Sequence, residues 1–189
     1  NVSHHLNVTK VTAVYNPTLL NNFCNTFKIL SHRSQTAQST FFAQKWQAKR
    51  NDLQSWVYSQ YEKRVQTFPW NQDIQVPILP VVHGTDLVIA EKISESGFSA
   101  LSLVDSGYYG KGIYFTSYAW YTIPYITTRK RPTIIFSWIL PGNPYPVIEH
   151  HDGPDTLKGR ALLNGYTSHF VLTNRAGGVI GDSSAPEVW

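Results

Sequence analysis

The sequence predicts an α+β fold. Three observations carry the prediction: helical periodicity is concentrated before residue 70, short β-rich runs follow residue 78, and glycine and proline punctuate the joins. At 189 residues the chain fits one domain with a helical preamble, divided as a helical segment over 1–70 and a core over 71–189.

In chain order, Asn16-Pro17 reads as an N-cap followed by proline at the first helical position, opening a helix over Thr18 to about Leu30. Residues 31–40 are rich in Ser, Thr and Gln and read as a loop. From Phe41 to about Phe68, the apolar positions Phe42, Trp46, Leu53, Trp56, Val57 and Tyr61 fit one face of a long helix. Pro69 to Pro80 is proline-punctuated and extended. Ile78 to His83 reads as a buried strand. Asp86 to Ser96 reads as a short helix capped by Thr85 or Asp86 and ended by Gly97. A glycine-rich loop covers Ser99 to Gly112. Three strands are expected over Ile113–Thr116, Thr133–Leu140 and His169–Thr173, with the proline-broken Pro141–Pro146 forcing a turn.

Composition narrows the function classes. With 42% hydrophobic and 15% charged residues the chain is globular in character. The 14% aromatic share supplies rings for a core and for sites that stack flat ligands. A net charge of +4 suits an anionic partner such as a dinucleotide or a nucleic acid, but no basic run is longer than Arg129-Lys130-Arg131, weak support for nucleic acid specifically. The single cysteine, Cys24, excludes an internal disulfide framework and is expected to be buried among Leu19, Leu20, Phe23 and Phe27. The triplets Asn1-Val2-Ser3 and Asn7-Val8-Thr9 carry no weight without a signal region, and no apolar run reaches the ~18 residues of a membrane span. The expected setting is intracellular, cytoplasmic or nuclear, without a membrane partner. The chain begins at Asn1, so it is expected to be a piece of something longer. The seven histidines (His4, His5, His32, His83, His150, His151, His169) show no ligand spacing, so no metal is expected, and His150-His151 reads as a solvated turn.

The chemistry-bearing stretch runs from Val82 to Tyr125. His83-Gly84-Thr85 stands between a strand and a helix. A glycine there lets a flat ligand approach the backbone, whose N–H and C=O then serve as the donor and acceptor that a carboxamide needs. Taken alone, the His-Gly pair reads more readily as a structural turn than as a site. Gly107-Tyr108-Tyr109-Gly110-Lys111-Gly112-Ile113-Tyr114-Phe115 packs glycines with aromatics, as a stacking site or as a turn with core rings. Thr122 offers a hydroxyl to an amide and Tyr125 a second ring, within a segment aromatic throughout.

Taken in order, His83-Gly84-Thr85, a helix ending at Gly97-Phe98, and Gly110-Lys111-Gly112-Ile113-Tyr114-Phe115 resemble the catalytic signature of the poly(ADP-ribose) polymerase family, with Thr122 and Tyr125 at the spacing of its downstream hydroxyl and ring. The resemblance covers Ile78 to about Val171 and extends loosely to Val11–Phe27. Pro141–Pro146 and Gly165–Phe170 resemble later β segments; the Phe41–Phe68 helix is not part of the signature. The resemblance implies the ADP-ribosyltransferase fold: two packed, mostly antiparallel sheets behind an N-terminal helical segment. It implies NAD⁺ as co-substrate, with nicotinamide released and ADP-ribose passed to a protein or nucleic-acid acceptor. By the same resemblance His83 holds the nicotinamide ribose, Gly84 clamps the carboxamide beside Thr85, and Thr122 bonds the carboxamide oxygen. Tyr114 forms one wall of the slot and Tyr125 stacks on the ring, while a loop from about Ser99 to Tyr109 covers the donor.

The catalytic glutamate of polymer-forming relatives has three readings here. It is Glu187; or Val188 takes its place, as apolar residues do in mono-ADP-ribosylating relatives; or it lies beyond residue 189. The missing apolar alternation of a closing strand favours the third, and with it a C-terminally incomplete core. Without that carboxylate the chain reads instead as an inactive NAD- or ADP-ribose-binding module. An all-β carbohydrate-binding module built on the exposed Tyr and Trp is disfavoured by the His-Gly-Thr signature.

Overall fold

A computed structural model describes residues 7–37, 44–49, 51–98, 107–150, 152–173 and 187–188. Its architecture is mixed α+β, with helices and two small sheets. Helix α1 (Pro17–Thr36) opens as expected: the Asn16 Oδ1 accepts the Leu19 N–H at 3.1 Å, with proline next in line. The Asn16 Nδ2 donates to Ser94 O at 3.0 Å and Glu95 O at 2.9 Å, so one side chain both caps a helix and ties it to a distant segment.

Helix α1 runs six residues past the expected end, through a segment read as loop. Its hydroxyls turn inward on the helix: Ser34 Oγ donates to Ser31 O and Thr36 Oγ1 to His32 O, each at 2.8 Å, so the polar run continues the helix. The expected burial of Cys24 fails, for the thiol is exposed. The half-buried stripe is Leu19, Phe23, Phe27 and Leu30, and Cys24 sits one residue, about 100°, off that stripe.

The single long helix expected over Phe41–Phe68 is instead a 3₁₀ turn, Lys45–Lys49, and then helix α2 (Asp52–Gln66). Residues 41–43 lie outside the described residues. The break comes at Asn51, whose side chain accepts the Gln54 N–H at 3.1 Å and starts a new helix. Helix α2 buries Gln54, Val57 and Tyr61, and the Gln54 Nε2 donates to Pro146 O at 2.9 Å.

Strand β1 (Leu79–Asp86) leads into helix α3 (Leu87–Ser96), capped by Asp86 and closed by Gly97 at φ +79°, as the sequence implies. A 3₁₀ turn, Ala119–Thr122, continues into the one-turn helix α4 (Ile123–Ile126), which packs on β1 and which periodicity did not reveal. Strand β2 (Pro132–Ile139) pairs antiparallel with β1, from Leu79↔Ile139 to Asp86↔Pro132. The expected strand Ile113–Thr116 reduces to one antiparallel bridge, Val82↔Thr116.

The second sheet holds β3 (Pro144–Val147), β4 (Ser168–Thr173) and β5 (Glu187–Val188). Strand β3 runs parallel to β4, and β5 antiparallel to it. Pro141–Pro146 is thus half turn and half strand: Gly142 makes the turn at φ +66°, then β3 begins. Prolines are tolerated in β3 because it lies at the sheet edge, with β4 as its one strand neighbour among the described residues.

The two sheets share a core. Val57 and Tyr61 of α2, Leu79 and Val81 of β1, and Phe170 and Leu172 of β4 form one cluster. On the other face of β4, Val171 packs with Tyr109, Val147 and Leu157. Strand β4 is therefore buried on both sides, which suits its continuous apolar run. Among the described residues no helix is long and apolar enough to cross a membrane.

Asn16→Ala removes a cap and two tethering bonds together. The expected loss is about 1–2 kcal/mol, read as a lower urea midpoint at unchanged slope.

Candidate functional site

The site is built on β1, whose ladder pattern decides what each residue offers. Val82 exchanges both backbone bonds with Thr116: its N–H donates at 2.8 Å and its carbonyl accepts at 3.0 Å. Its polar groups therefore point away from β2. Backbone direction alternates along an antiparallel strand, so Val81, His83 and Thr85 turn theirs toward β2, and Gly84 turns its N–H and C=O the same way as Val82. Continued by two residues, the bridge register would set Gly84 opposite Tyr114. Instead the His83 Nδ1 donates to the Tyr114 carbonyl at 2.9 Å, and no backbone bond joins Gly84 to Ile113–Thr116. A side chain has taken the acceptor that the ladder would have used.

The His83 ring is held by that bond and by Phe98 and Phe115, with centroids at 5.4 Å and 5.9 Å. Its Nε2 is the nitrogen left to meet a ligand. Gly84 lies directly under the 119–126 segment. A Cβ added there would stand 2.8 Å from Ile126 Cγ2 and 2.9 Å from Thr122 Cβ, so only glycine permits this approach. Thr122 is buried, and its hydroxyl donates to Ala119 O at 2.6 Å, leaving oxygen lone pairs as its remaining capacity. Thr85 is buried in β1. Tyr125 is exposed, its hydroxyl 3.2 Å from that of Tyr121 and the two rings 5.6 Å apart.

Tyr114 does structural work at its hydroxyl, which accepts the Tyr109 N–H at 2.8 Å and donates to Gly110 O at 2.7 Å. That closes the turn 107–110, where Gly107 and Gly110 take φ +52° and +111°. Tyr109 is buried, and burial pushes its phenol up to about 12. The expected donor-covering loop lies outside the described residues over 99–106.

Sequence reasoning counted His169 among the histidines and gave it no part in this site. Its Nδ1 donates to Tyr109 O at 2.6 Å, and its Nε2 lies 3.5 Å from the Leu163 N–H. Burial pushes its pKa down, with the bond to Tyr109 O opposing. The signal was available in Gly165–Phe170, a β-like pattern with a polar residue entering a strand. The contacts run from β4 through His169, the turn 107–110 and Tyr114 to His83.

Glu187 is in β5, paired with Thr173 at the far end of β4 from His169, about 13 Å along the strand. His150 is exposed, and His151 lies outside the described residues. Among the described residues no three His, Cys, Asp or Glu side chains group to hold a metal ion. A cleft of about 300 Å³ lies elsewhere, lined by Tyr58, Tyr61, Glu62, Asn71, Gln75 and Asn143 among others, and shares no residue with the His83 cluster. No family model, no curated protein and no solved structure matches the chain.

Gly84→Ala should destabilise the protein by about 1–3 kcal/mol, the scale of overpacking, because neither Thr122 nor Ile126 can retreat without moving its backbone turn. Gly112→Ala, where an added Cβ meets nothing within 4 Å, should leave the thermal midpoint unchanged.

Proposed function

We propose that the chain binds NAD⁺ through its nicotinamide end and transfers ADP-ribose to an acceptor, releasing nicotinamide, as its motifs' resemblance to the poly(ADP-ribose) polymerase family implies. The observation that carries this reading is the outward turn of the Gly84 N–H and C=O beside His83 and beneath Thr122. A primary carboxamide needs one donor and one acceptor from a single backbone residue, and Gly84 offers both on one edge. The exposed Tyr125 supplies a ring face for stacking, and Tyr114 a wall whose position is fixed at both its hydroxyl and its carbonyl.

On this reading the chain's residues orient more than they react. Gly84 holds the carboxamide in plane, and the His83 Nε2 bonds a hydroxyl of the nicotinamide ribose. Together they fix the ribose against its leaving group. The bond from C1′ to the pyridinium nitrogen then breaks, its electron pair staying on nicotinamide, which leaves neutral. The acceptor's lone pair forms the new bond to the oxocarbenium-like C1′, and the acceptor's proton passes to a base. Fixing two reacting groups in this way lowers the barrier chiefly through orientation and preorganised charge. The base is a carboxylate, either Glu187 or one beyond residue 189.

The inactive binding module is separated from the transferase by one experiment: labelled NAD⁺ in, free nicotinamide and labelled acceptor out. Binding of the label without nicotinamide release supports the module.

The slot itself is tested with benzamide as a nicotinamide mimic. Tyr125→Ala should weaken calorimetric binding by about 1–3 kcal/mol, the loss expected for one stacked ring, while Tyr118→Ala should change it far less. Equal losses at the two positions would remove Tyr125 from the slot.

A further inference from the structure

The β1–β2 register determines which rings share a surface. Gly84 and Ile134 stand opposite each other in the β1–β2 ladder, so their side-chain directions lie on one face of the sheet. Thr122 and Ile126 lie on that face, because they are what a Cβ at Gly84 would meet. By the two-residue repeat of a strand, Phe136 and Trp138 lie there as well. Both are open to solvent, Phe136 at 78% and Trp138 at 55% of full exposure. Trp120, in the 3₁₀ turn that lies on the face, is 77% exposed. Trp70 packs edge-on against Trp138 at 5.3 Å and donates its indole N–H to Ile78 O at 3.0 Å, so the Trp138 ring is held rather than loose.

Folded chains seldom leave so many large rings in water without a partner for them. The charge around them says what that partner is. Between Asp105 and Glu149 the sequence has no Asp or Glu, and its charged residues are Lys111, Arg129, Lys130 and Arg131. This stretch supplies Trp120, Phe136 and Trp138. The last three cations are exposed and lead directly into β2, and Arg129 is fixed to the end of α4 by its Nε–H bond to Tyr125 O at 3.2 Å. Asp86 accepts the Val88 and Arg131 backbone N–H groups and offsets part of the charge of Arg131 and Arg129, which still leaves the stretch net cationic.

We propose that this face binds single-stranded nucleic acid, its bases stacking on Phe136, Trp138 and Trp120 and its phosphates meeting Arg129, Lys130 and Arg131. Rings two residues apart on a strand stand about 7 Å from each other, a ladder on which successive unpaired bases stack without regard to sequence. The cations at one end supply the salt-sensitive attraction. A second copy of the chain pairing β2 on β2 fits less well. A two-fold centred at Phe136 would set Arg131 opposite Pro141, and neither β2 nor its flanks offer a carboxylate to receive it. The proposal does not rest on the NAD reading, and NAD⁺ binding can fail or succeed independently.

The test is fluorescence anisotropy of labelled dT20 with the full 189-residue chain, in parallel with polyglutamate and heparin as plain polyanions. Saturable dT20 binding is expected, weakening as salt rises, with quenching of tryptophan emission as bases stack. The pair Phe136→Ala and Trp138→Ala should weaken it at least about tenfold, the scale of one or two lost stacks. Trp120→Ala, which leaves the sheet untouched, should weaken it in the same direction and keeps the test decisive if the sheet variants unfold. Replacing Arg129, Lys130 and Arg131 together by Ala should flatten the salt dependence. Absence of saturable binding would overturn the proposal. So would ring variants that bind dT20 like the parent, or polyglutamate and heparin binding as tightly as dT20, either of which assigns the face to polyanions or an acidic protein.

Discussion

Among the described residues, strand β1 is bonded along one edge to β2 and at one point on the other edge to Thr116, and this unequal pairing shapes the candidate site. A full ladder on the second edge would have consumed Gly84 and made Ile113–Thr116 a strand. The single bridge instead fastens the 107–126 segment at one residue and lets the His83 ring take the Tyr114 carbonyl. That departure leaves the Gly84 polar groups without a ladder partner in Ile113–Thr116 and lets Thr122 and Ile126 descend onto a bare glycine.

The departure is stable because the surrounding structure holds both ends of the segment. At one end, Tyr114 closes the turn 107–110 with its hydroxyl, and His169 fixes the same turn to β4. Two further backbone bonds, Lys111 N–H to Arg160 O at 2.7 Å and Gly159 N–H to Gly107 O at 3.1 Å, secure it to the following loop. At the other end, α4 is seated on β1 with Ile126 fully buried. Each such bond contributes only about 1 kcal/mol. Their joint effect is to leave the segment few alternative positions. Strand β4 has a part in both cores, so a change there reaches the site through His169 as well as through packing.

Features set by neighbouring residues were legible in the sequence. Asn16-Pro17 and the Asp86 and Gly97 ends of α3 act within one turn of helix, and all behave as read. Phase and interruption were harder. Cys24 misses the half-buried stripe by one residue, and the cap at Asn51 sits inside an apolar pattern that continues through it. The α+β class followed from element order; the parallel pairing of β3 with β4 is a long-range property that no local pattern encodes. The same division holds at the site. His83, Gly84, Tyr114, Thr122 and Tyr125 stood out by residue type and spacing. The alignment of Gly84 beside Tyr114 depends on the pairing of Val82 with Thr116, 34 residues on, and the part of His169 on a contact 60 residues away in the chain.

On the proposed function, the backbone of Gly84 meets a carboxamide. Nitrogen-15 amide spectra recorded while nicotinamide is titrated into the chain test it residue by residue. A saturable shift of the Gly84 N–H is expected, with smaller shifts at His83 and through the 119–126 segment. Saturable shifts confined to the cleft side chains, such as the Asn71 and Asn143 amides, with Gly84 unmoved would contradict it.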